Sequence, residues 1–449
     1  MLATVPLTGG TPRETLEGVI AADWSPEGKE LAVIHAVNDR HQIEYPIGHV
    51  LYAPDPPIWF SALRVSPSGD QIALLEHSQV GDARGDVRVV DLKGTVRTVV
   101  GGFSTIDGVA WSGDGREIWF GGQREGGPPH QLNATTLSGA VHLLTETVGS
   151  MQFMDRSTSG LALLSRTTLW TEMRARARGS DDEIEMAGAD LNFLSDLAPD
   201  GKHVLGTDIG VGGGPNFTSF LQQTDGSPAI RLGEGDGQAL SLDERLVLVR
   251  LRTTPPKLKI EPTGAGESRD LPLGPIVSYG RAVWEPSGQR VVFAGSEQNK
   301  GSQLYIQDAS GKSPPAAFTE EGITLSDLGR PISPDGKWIV GFGGDDVAQL
   351  YPLGGGEARV IPTLAYLDTP VSWSPDGREL FVVRHGSSPP KVDRVDIATG
   401  RPRPWTLWRP GSLSGLLGEV RLLISPDGES YAYNYARQMS DLYLGTGLR

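Results

Sequence analysis

Eight histidines are candidate metal ligands or catalytic bases, but their spacing suits neither role. No HxH or HExxH occurs, so no single strand or helix presents two histidines to one zinc ion. A metal at the centre of a repeat fold would recruit His35, His41, His49 and His77 from neighbouring repeats. We expect these histidines instead to be scattered side chains at strand ends. The sequence therefore predicts no metal and no other cofactor.

The sequence also lacks the residues that nucleophilic catalysis uses. It contains no cysteine, which removes thiol nucleophiles, thiolate zinc sites and disulfides. No G-x-S-x-G is present. Gly311-Lys312-Ser313 resembles the end of a phosphate-binding loop, but Ile306 stands where that loop needs its first glycine. We therefore expect that the chain is not an enzyme.

Three arginines alternate with alanine, so their guanidinium groups project from one face of a strand: Arg174, Arg176 and Arg178. Four acidic residues follow across a turn: Asp181, Asp182, Glu183 and Glu185. The pattern predicts a ladder of cross-strand ion pairs. The functional alternative is contact with an anionic partner at a sheet edge, so the three arginines remain candidate contact residues.

Two further segments are candidate contact surfaces. Asp208 and Asn216 bound the stretch DIGVGGGPN, which lacks the third glycine of a dinucleotide-binding pattern. We interpret this stretch as an inter-strand loop, and such loops often carry binding residues. Trp405 and Trp408 lie in RPRPWTLWRPG, and we expect this run to expose them to a partner.

The charge balance disfavours polyanionic partners. Lys+Arg 40 against Asp+Glu 55 gives a net charge of −15, so we expect no binding to nucleic acid. No run of 18 apolar residues occurs, so we expect no direct membrane insertion. The N-terminus lacks the basic and apolar regions of a secretion signal. The expected compartment is extracytoplasmic if the chain belongs to a membrane protein and cytoplasmic otherwise.

A tandem repeat must position all of these residues. The clearest of ten copies read WSPEGKELAVI from Trp24, VSPSGDQIALL from Val65, WSGDGREIWFG from Trp111, WEPSGQRVVFA from Trp284, ISPDGKWIVGF from Ile332, WSPDGRELFVV from Trp373 and ISPDGESYAYN from Ile424. Across all ten copies, the turn glycines are 41–51 residues apart, with Glu244 counted in the copy that lacks a glycine. A step of about 40–45 residues is the length of a four-stranded propeller blade.

Each copy is a turn followed by a strand. In Ser-Pro-Asp-Gly, proline fixes φ at the second position, aspartate bonds locally and glycine takes the left-handed position. Apolar residues then alternate at the period of a strand, and a second β run ends in glycine, as in VRVVDLKG, LYIQDASG and VDRVDIATG. No segment has the pattern of a long amphipathic helix. The sequence predicts an all-β fold, a propeller of four-stranded antiparallel blades.

Four tryptophans occupy the same position just before the turn: Trp24, Trp111, Trp284 and Trp373. We expect all four to pack between blades. Ten blades are more than the roughly four to eight blades of an ordinary propeller. We therefore expect residues 1–190 to form four blades plus an N-terminal strand pair, and residues 191–449 to form a six-bladed ring. A single ten-bladed ring over residues 1–449 is the alternative.

The chain also resembles a known family, the C-terminal TolB-like, WD40-like propeller of bacterial eukaryotic-like serine/threonine protein kinases. The stretches that carry the resemblance are VPLTGGTPRETLEGVIAADWSPEGKELAV, IEYPIGHVLY, TDGSPAIRLGEG and SPDGESYAYNYARQMSDLYL. The resemblance implies a sensor or interaction domain that works with the kinase domain of a longer or neighbouring chain. No HRD or DFG triplet occurs, so this chain is not itself a kinase. The family propeller supplies no catalytic residues to carry over.

These observations favour a non-catalytic propeller that recognises a protein or a small-molecule ligand at one of its faces and serves bacterial kinase signalling. One alternative is a propeller hydrolase or lyase with a metal in its channel, which predicts histidines and carboxylates at matching positions of successive blades. Another alternative is a structural assembly scaffold, which predicts self-association.

Overall fold

The computed structural model describes the chain apart from residues 7, 38, 39, 56, 57, 79–82, 125–130, 148–150, 158, 159, 187, 189, 190, 215, 345, 346, 365–367, 385–389, 406–415 and 449. The described residues form antiparallel β-sheets and contain no α-helix, which confirms the predicted all-β propeller fold. Within them, no helix is long and apolar enough to span a membrane. The chain folds as two compact units, unit 1 (Met1–Thr168 and Met439–Arg449) and unit 2 (Leu169–Gln438).

Unit 1 begins with a pair of short strands and continues with a four-stranded sheet and a seven-stranded sheet. Its strands are β1 Leu2–Thr4, β2 Arg13–Leu16, β3 Val19–Trp24, β4 Leu31–Val37, β5 Arg40–Glu44, β6 Val50–Tyr52, β7 Trp59–Val65, β8 Gln71–His77, β9 Gly85–Asp91, β10 Val96–Trp111, β11 Glu117–Arg124, β12 Gln131–Thr136, β13 Val141–Glu146 and β14 Met151–Arg156. The next strand, β15 (Ala162–Arg176), has residues in both units.

In unit 1, β1 pairs with β2, and β3 to β6 form one sheet. Strands β7 to β13 form a continuous seven-stranded sheet, because β10 belongs to two blades. Residues 96–103 of β10 pair with β9, and residues 103–111 pair with β11. The long strand therefore ends one blade and begins the next without a loop.

Unit 2 consists of six sheets. Its strands are β16 Ile184–Met186, β17 Asn192–Leu197, β18 His203–Asp208, β19 Thr218–Gln223, β20 Ile230–Glu234, β21 Asp236–Leu240, β22 Leu246–Leu251, β23 Lys257–Pro262, β24 Arg269–Asp270, β25 Ile276–Trp284, β26 Arg290–Glu297, β27 Gln303–Asp308, β28 Ala316–Ala317, β29 Trp338–Phe342, β30 Ala348–Pro352, β31 Arg359–Val360, β32 Thr369–Trp373, β33 Glu379–Arg384, β34 Lys391–Asp396, β35 Pro402–Pro404 and β36 Leu416–Ile424. The last strand, β37 (Tyr431–Gly445), again has residues in both units, and a 3-10 turn covers Val211–Gly213.

Five sheets of unit 2 use consecutive strands, and the sixth joins strands from far apart in the sequence. These five are β17–β20, β21–β24, β25–β28, β29–β31 and β32–β35. The sixth contains β36, residues 431–438 of β37, residues 169–176 of β15, and β16. Unit 2 therefore begins at residue 169, whereas the sequence analysis places a boundary at 190.

Second strands of the blades are buried on both faces, because neighbouring sheets cover each of them. In β8, the four residues from Ile72 to Leu75 have no exposed surface. A strand that is buried on both sides has an apolar run in place of strict alternation. This explains why sequences such as QIALLEH follow every turn.

The turn between first and second strands repeats the same hydrogen bonds. Ser333 Oγ donates to Asp335 Oδ1 (2.7 Å) and accepts from the backbone N–H of Trp338 (3.0 Å), while Gly336 N–H donates to Ser333 O (2.9 Å). This arrangement recurs at Asp114, Asp243 and Asp376, and at these positions and at Asp335 the serine O–H bond lowers the pKa of the turn aspartate. Glu244 adopts the glycine conformation with φ 58°, as its place in the repeat requires.

The pre-turn tryptophans confirm the packing prediction at three positions and contradict it at one. Trp111, Trp284 and Trp373 are buried, and the Trp373 indole donates to Pro331 O of the preceding repeat (2.9 Å). Trp24 is 56% exposed. The repeat before it supplies only β1 and β2, so it has no first strand to provide that carbonyl and cover the indole.

The left-handed turn position gives a stability test with a matched control. Gly288 has φ 72°, and an added Cβ meets no atom within 4 Å, so Gly288→Ala introduces backbone strain alone. We expect unit 2 to lose about 1 kcal/mol of unfolding free energy. Gly264 has equally open surroundings without a left-handed φ, so Gly264→Ala should be neutral or slightly stabilising. Urea unfolding measures both variants, and equal destabilisation would contradict the conformational argument.

Candidate functional site

The second positions of the six turns of unit 2 line one cavity of about 240 Å³. Five of these residues are prolines and one is leucine: Pro199, Leu242, Pro286, Pro334, Pro375 and Pro426. Each residue comes from a different sheet of the unit. We name the cavity and this ring of residues the proline socket. Its mouth is apolar because the repeat places an apolar side chain at this turn position in every sheet.

The wall of the proline socket is also apolar. Trp284 and Trp373 both line it, together with aliphatic side chains that include Val283 and Ile332. The Trp284 indole N–H is buried and makes no hydrogen bond among the described residues. A buried donor without an acceptor is uncommon and has a desolvation cost. The wall therefore has one unused polar atom in otherwise apolar surroundings.

The base of the proline socket is a buried ion pair that joins two sheets. Arg330 Nη2 lies 2.9 Å from Asp196 Oδ2, and the carboxylate also accepts the backbone N–H groups of Leu240 and Leu197, each at 2.9 Å. Arg330 Nε donates to Leu197 O (3.1 Å). Burial raises the pKa of Asp196, and the nearby Arg330 and Arg281 charges oppose that rise.

A second arginine lies fully buried beside this pair. Arg281 Nη2 donates to Ser195 O (2.8 Å) and Gly329 O (3.1 Å), so backbone carbonyls hold it in place. Burial lowers the pKa of Arg281 to about 10, so its guanidinium remains charged at neutral pH. Arg421 makes comparable bonds to Leu194 O and Asp327 O. These arginines join different sheets of unit 2 through backbone carbonyls.

The arginine ladder has acidic partners, as its spacing predicts. Arg174 lies 4.0 Å from both Glu183 and Glu185, and Arg176 lies 3.4 Å from Asp181. Arg178 pairs with Asp427 and, at 3.0 Å, with Glu429. The structure thus places all three arginines in intramolecular ion pairs of unit 2. Their contact with an anionic partner stays a prediction.

The glycine-rich loop uses its polar groups internally. Asp208 Oδ1 accepts the N–H of Gly210 (3.0 Å), and Asn216 Nδ2 donates to Glu234 Oε1 (2.7 Å). Asp208 also lines a separate cavity of about 310 Å³, together with Arg231. The structure therefore does not bring Asp208 and Asn216 to the proline socket.

Trp405 is half-buried and packs within a sheet interface of unit 2. Its ring makes edge contacts with Phe381 and Tyr431, and its indole N–H donates to Gly428 O (3.2 Å). Trp408 lies outside the described residues. A partner contact through these two tryptophans stays a prediction.

Unit 1 contains a larger cavity of about 620 Å³ with a more polar lining. Glu76 and Arg88 lie in it, 2.6 Å apart, and Glu76 also accepts the Tyr52 hydroxyl (2.8 Å). Asp86 accepts the N–H of Gly102 (3.1 Å). Because these charged groups are already engaged, the cavity offers fewer free contacts than its size indicates.

The described residues contain no group of three or more His, Asp or Glu side chains placed to hold one metal ion. His35 pairs with Glu44 (2.6 Å), and His77 stacks on Trp59. Both histidines therefore lie in local contacts of unit 1.

Sequence reasoning assigned the socket residues to turns and missed the site. Two signals point to it: one turn position is apolar in all six copies of unit 2, and charged residues interrupt or precede the apolar first strands at Asp196 and Arg330. Only the closing of six sheets around one axis of the unit brings these positions together.

No protein-family model matches this chain, and no curated protein matches it. Solved structures that it resembles include a putative TolB from Agrobacterium tumefaciens, at 18% identity and TM-score 0.45 over 60% of this chain and 99% of that one. TolB from Acinetobacter baumannii is 13% identical, with TM-score 0.27 over 92% and 79%. The GH74 enzyme of Niastella koreensis is 9% identical, with TM-score 0.36 over 88% and 70%. The neighbours thus include TolB proteins and an enzyme, and at these identities the likeness concerns the fold alone.

The ion pair at the socket base predicts a large difference between two otherwise similar substitutions. Asp196→Asn leaves the buried Arg330 charge unpaired and should cost about 3–5 kcal/mol of unfolding free energy. Asp270 also lies 2.9 Å from a cation, Lys257, but both side chains are nearly half exposed. Asp270→Asn should therefore cost only about 0–1 kcal/mol. Urea unfolding of both variants measures the contrast, and similar losses would refute a structural role for the buried pair.

Proposed function

We propose that the chain is a non-catalytic binding module and that unit 2 receives its ligand in the proline socket. The observation that carries the proposal is the ring of six equivalent apolar turn residues around a cavity with a charged pair at its base. Apolar cavities with a few placed polar groups are the usual form of a ligand site. Six rigid sheets hold this ring, so binding requires little rearrangement of the socket.

The polar groups of the socket support recognition in preference to catalysis. Asp196 accepts two backbone N–H groups and the Arg330 guanidinium, so no free carboxylate oxygen is offered as a base. Ser372 supplies a hydroxyl, and no histidine among the described residues lines the cavity. A serine nucleophile needs an adjacent base, and no lining residue takes that role.

The resemblance of the sequence to kinase-associated propellers supports a sensor role within this proposal. Ligand binding would then be passed to the kinase domain of a longer or neighbouring chain. Such signalling requires that the ligand bind two states of the protein with different affinities. A ring of separate sheets joined by Arg281 and Arg330 is the element on which such a difference would act.

The socket proposal is tested at the one rim position that is not proline. Leu242 is exposed and lines the socket, so Leu242→Asn makes the rim polar without removing a turn proline. In thermal-shift measurements, N-acetylleucine, N-acetylleucinamide and short apolar peptides should stabilise the unsubstituted protein, the parent, in a saturable way. At a ligand concentration of 100 times the dissociation constant, this stabilisation should be about 2.7 kcal/mol. Leu242→Asn should weaken binding about tenfold or more.

Leu92→Asn is the matched control, because Leu92 is similarly exposed in a turn of unit 1. Its variant should bind as the parent does. The socket proposal fails if none of these probes binds, or if Leu242→Asn and Leu92→Asn bind them equally well.

One observation favours the scaffold alternative in unit 1. Strand β37 pairs with β15, and its pairing with β36 ends at Arg437. Beyond that point it exposes apolar side chains that include Met439, Leu442 and Leu444. An exposed apolar edge strand promotes pairing with another chain.

Scaffold function predicts concentration-dependent self-association through this strand. Leu442→Lys should shift the protein toward the monomer, as measured by light scattering coupled to size-exclusion chromatography. Val277→Lys, at an exposed strand position of unit 2, is the control and should leave the association unchanged. A parent protein that stays monomeric at high concentration refutes the scaffold function.

A further inference from the structure

The arginine at the base of the proline socket retains one uncommitted donor group. Arg330 Nη2 bonds to Asp196 and approaches Leu240 O (3.4 Å), and Nε bonds to Leu197 O. Its Nη1 makes no hydrogen bond to any described residue. The side chain is 19% exposed and lines the cavity, and its bonds to Asp196 and Leu197 hold the guanidinium in place.

The charge at the base of the socket favours an anion. Asp196 carries one negative charge there, beside the positive charges of Arg330 and of the fully buried Arg281, and Asp327 also interacts with Arg281. Of these two arginines, Arg330 lines the cavity. Both carboxylate oxygens of Asp196 are occupied by hydrogen bonds from Leu197, Leu240 and Arg330. A ligand that reaches the base therefore meets guanidinium N–H donors in apolar surroundings, where charge-assisted hydrogen bonds are strong.

The size of the cavity limits what enters it. About 240 Å³ is below the roughly 300–1,000 Å³ of pockets that enclose a drug-sized molecule. The space suits one apolar residue. The rim continues this apolar surface outward, because Leu242, Pro334 and Pro375 are exposed beyond the cavity. A small free acid would leave that rim uncovered, whereas a polypeptide leaving the mouth would cover it.

We propose that the proline socket binds the C-terminal apolar residue of a partner polypeptide, with Arg330 Nη1 donating to the terminal carboxylate. The side chain of that residue packs against Trp284 and Trp373, and the preceding peptide crosses the rim at Leu242. This inference rests on the proposed function of the socket and adds the chemistry of its occupant. Recognition of a chain terminus is selective, because an internal residue has no carboxylate to place at the base.

The test compares peptides that differ only at the terminus. Acetyl-Ala-Ala-Leu is titrated into the full chain as the free acid and as the C-terminal amide, by isothermal titration calorimetry. The free acid should bind about tenfold or more tightly, because a hydrogen bond between charged groups is worth roughly 1.5–3 kcal/mol. Hexanoate is titrated as the free-acid probe and should bind more weakly than the peptide, since it does not reach the rim.

Arg330→Lys keeps the positive charge near Asp196 but removes the planar guanidinium. This substitution should weaken binding of the free-acid peptide about tenfold and leave binding of the amide unchanged. Arg384→Lys is the matched control: Arg384 is 18% exposed and ion-paired with Asp368 and Asp393, but it does not line the socket. Its variant should bind both peptides as the parent does.

The outcomes separate this inference from the proposed function. Equal binding of acid and amide, abolished by Leu242→Asn, would overturn carboxylate recognition and leave the apolar socket standing. Binding of hexanoate as tightly as the peptide would overturn the polypeptide occupant. No binding of either peptide would overturn the inference, and the proposed function would fail with it if the other apolar probes also gave no shift. If Arg330→Lys and Arg384→Lys weakened binding of the free-acid peptide equally, the loss would come from reduced stability, and the role of Arg330 as the carboxylate donor would be overturned.

Discussion

The four-residue turn between the first and second strands is the constraint on which the rest of the structure depends. Its serine bonds to the turn aspartate and to the backbone five residues on, as at Ser374 with Asp376 and Glu379. The glycine takes a left-handed φ that closes the turn over a very short distance. Each first strand therefore reverses directly into a second strand. Ala198 and Glu285 replace the serine in two turns of unit 2, but the backbone hydrogen bond from the fourth to the first turn residue is kept there. The second residue of each turn is therefore held at an equivalent place, and this fixes where the rim of the socket lies.

The sheets are rigid because both faces of their second strands are covered. Residues such as Val291 and Val292, adjacent in β26, are both completely buried. This arrangement leaves first strands and turns as the places where polar chemistry is possible. Unit 2 uses them for buried charges that bond to backbone carbonyls of other sheets. A buried charge that is paired and fully bonded is tolerated, whereas an unpaired one is not.

The proline socket combines these two features. Apolar turn residues form its mouth, and a buried ion pair forms its base. The pair has a structural role, since Asp196 bonds to the backbone of Leu197 and Leu240 and to Arg330. The same pair holds the Arg330 guanidinium in one orientation, so a binding group is positioned by contacts that the fold already needs. Such preorganisation reduces the cost of ordering a side chain when a ligand binds.

The repeat, the turn chemistry and the all-β class follow from the sequence alone, because they depend on residues that are near one another in the chain. It identified Glu244 as a substitute for a turn glycine, and its φ of 58° agrees. It also predicted the acidic partners of Arg174 and Arg176 from local spacing. Arg178 pairs instead with Asp427 and Glu429, which local spacing does not indicate. Burial of Trp24 was predicted wrongly, since covering an indole requires a neighbouring blade that local sequence does not reveal.

Only the tertiary structure decided which distant residues meet. Asp196 and Arg330 are far apart in the sequence, and their contact depends on the order in which sheets close within unit 2. The sixth sheet takes residues 169–176 and 431–438 from opposite ends of that unit, which no local pattern specifies. A repeat determines what each blade contains, because its contacts are local. The arrangement of the sheets determines which contacts form between blades, because those contacts depend on long-range packing.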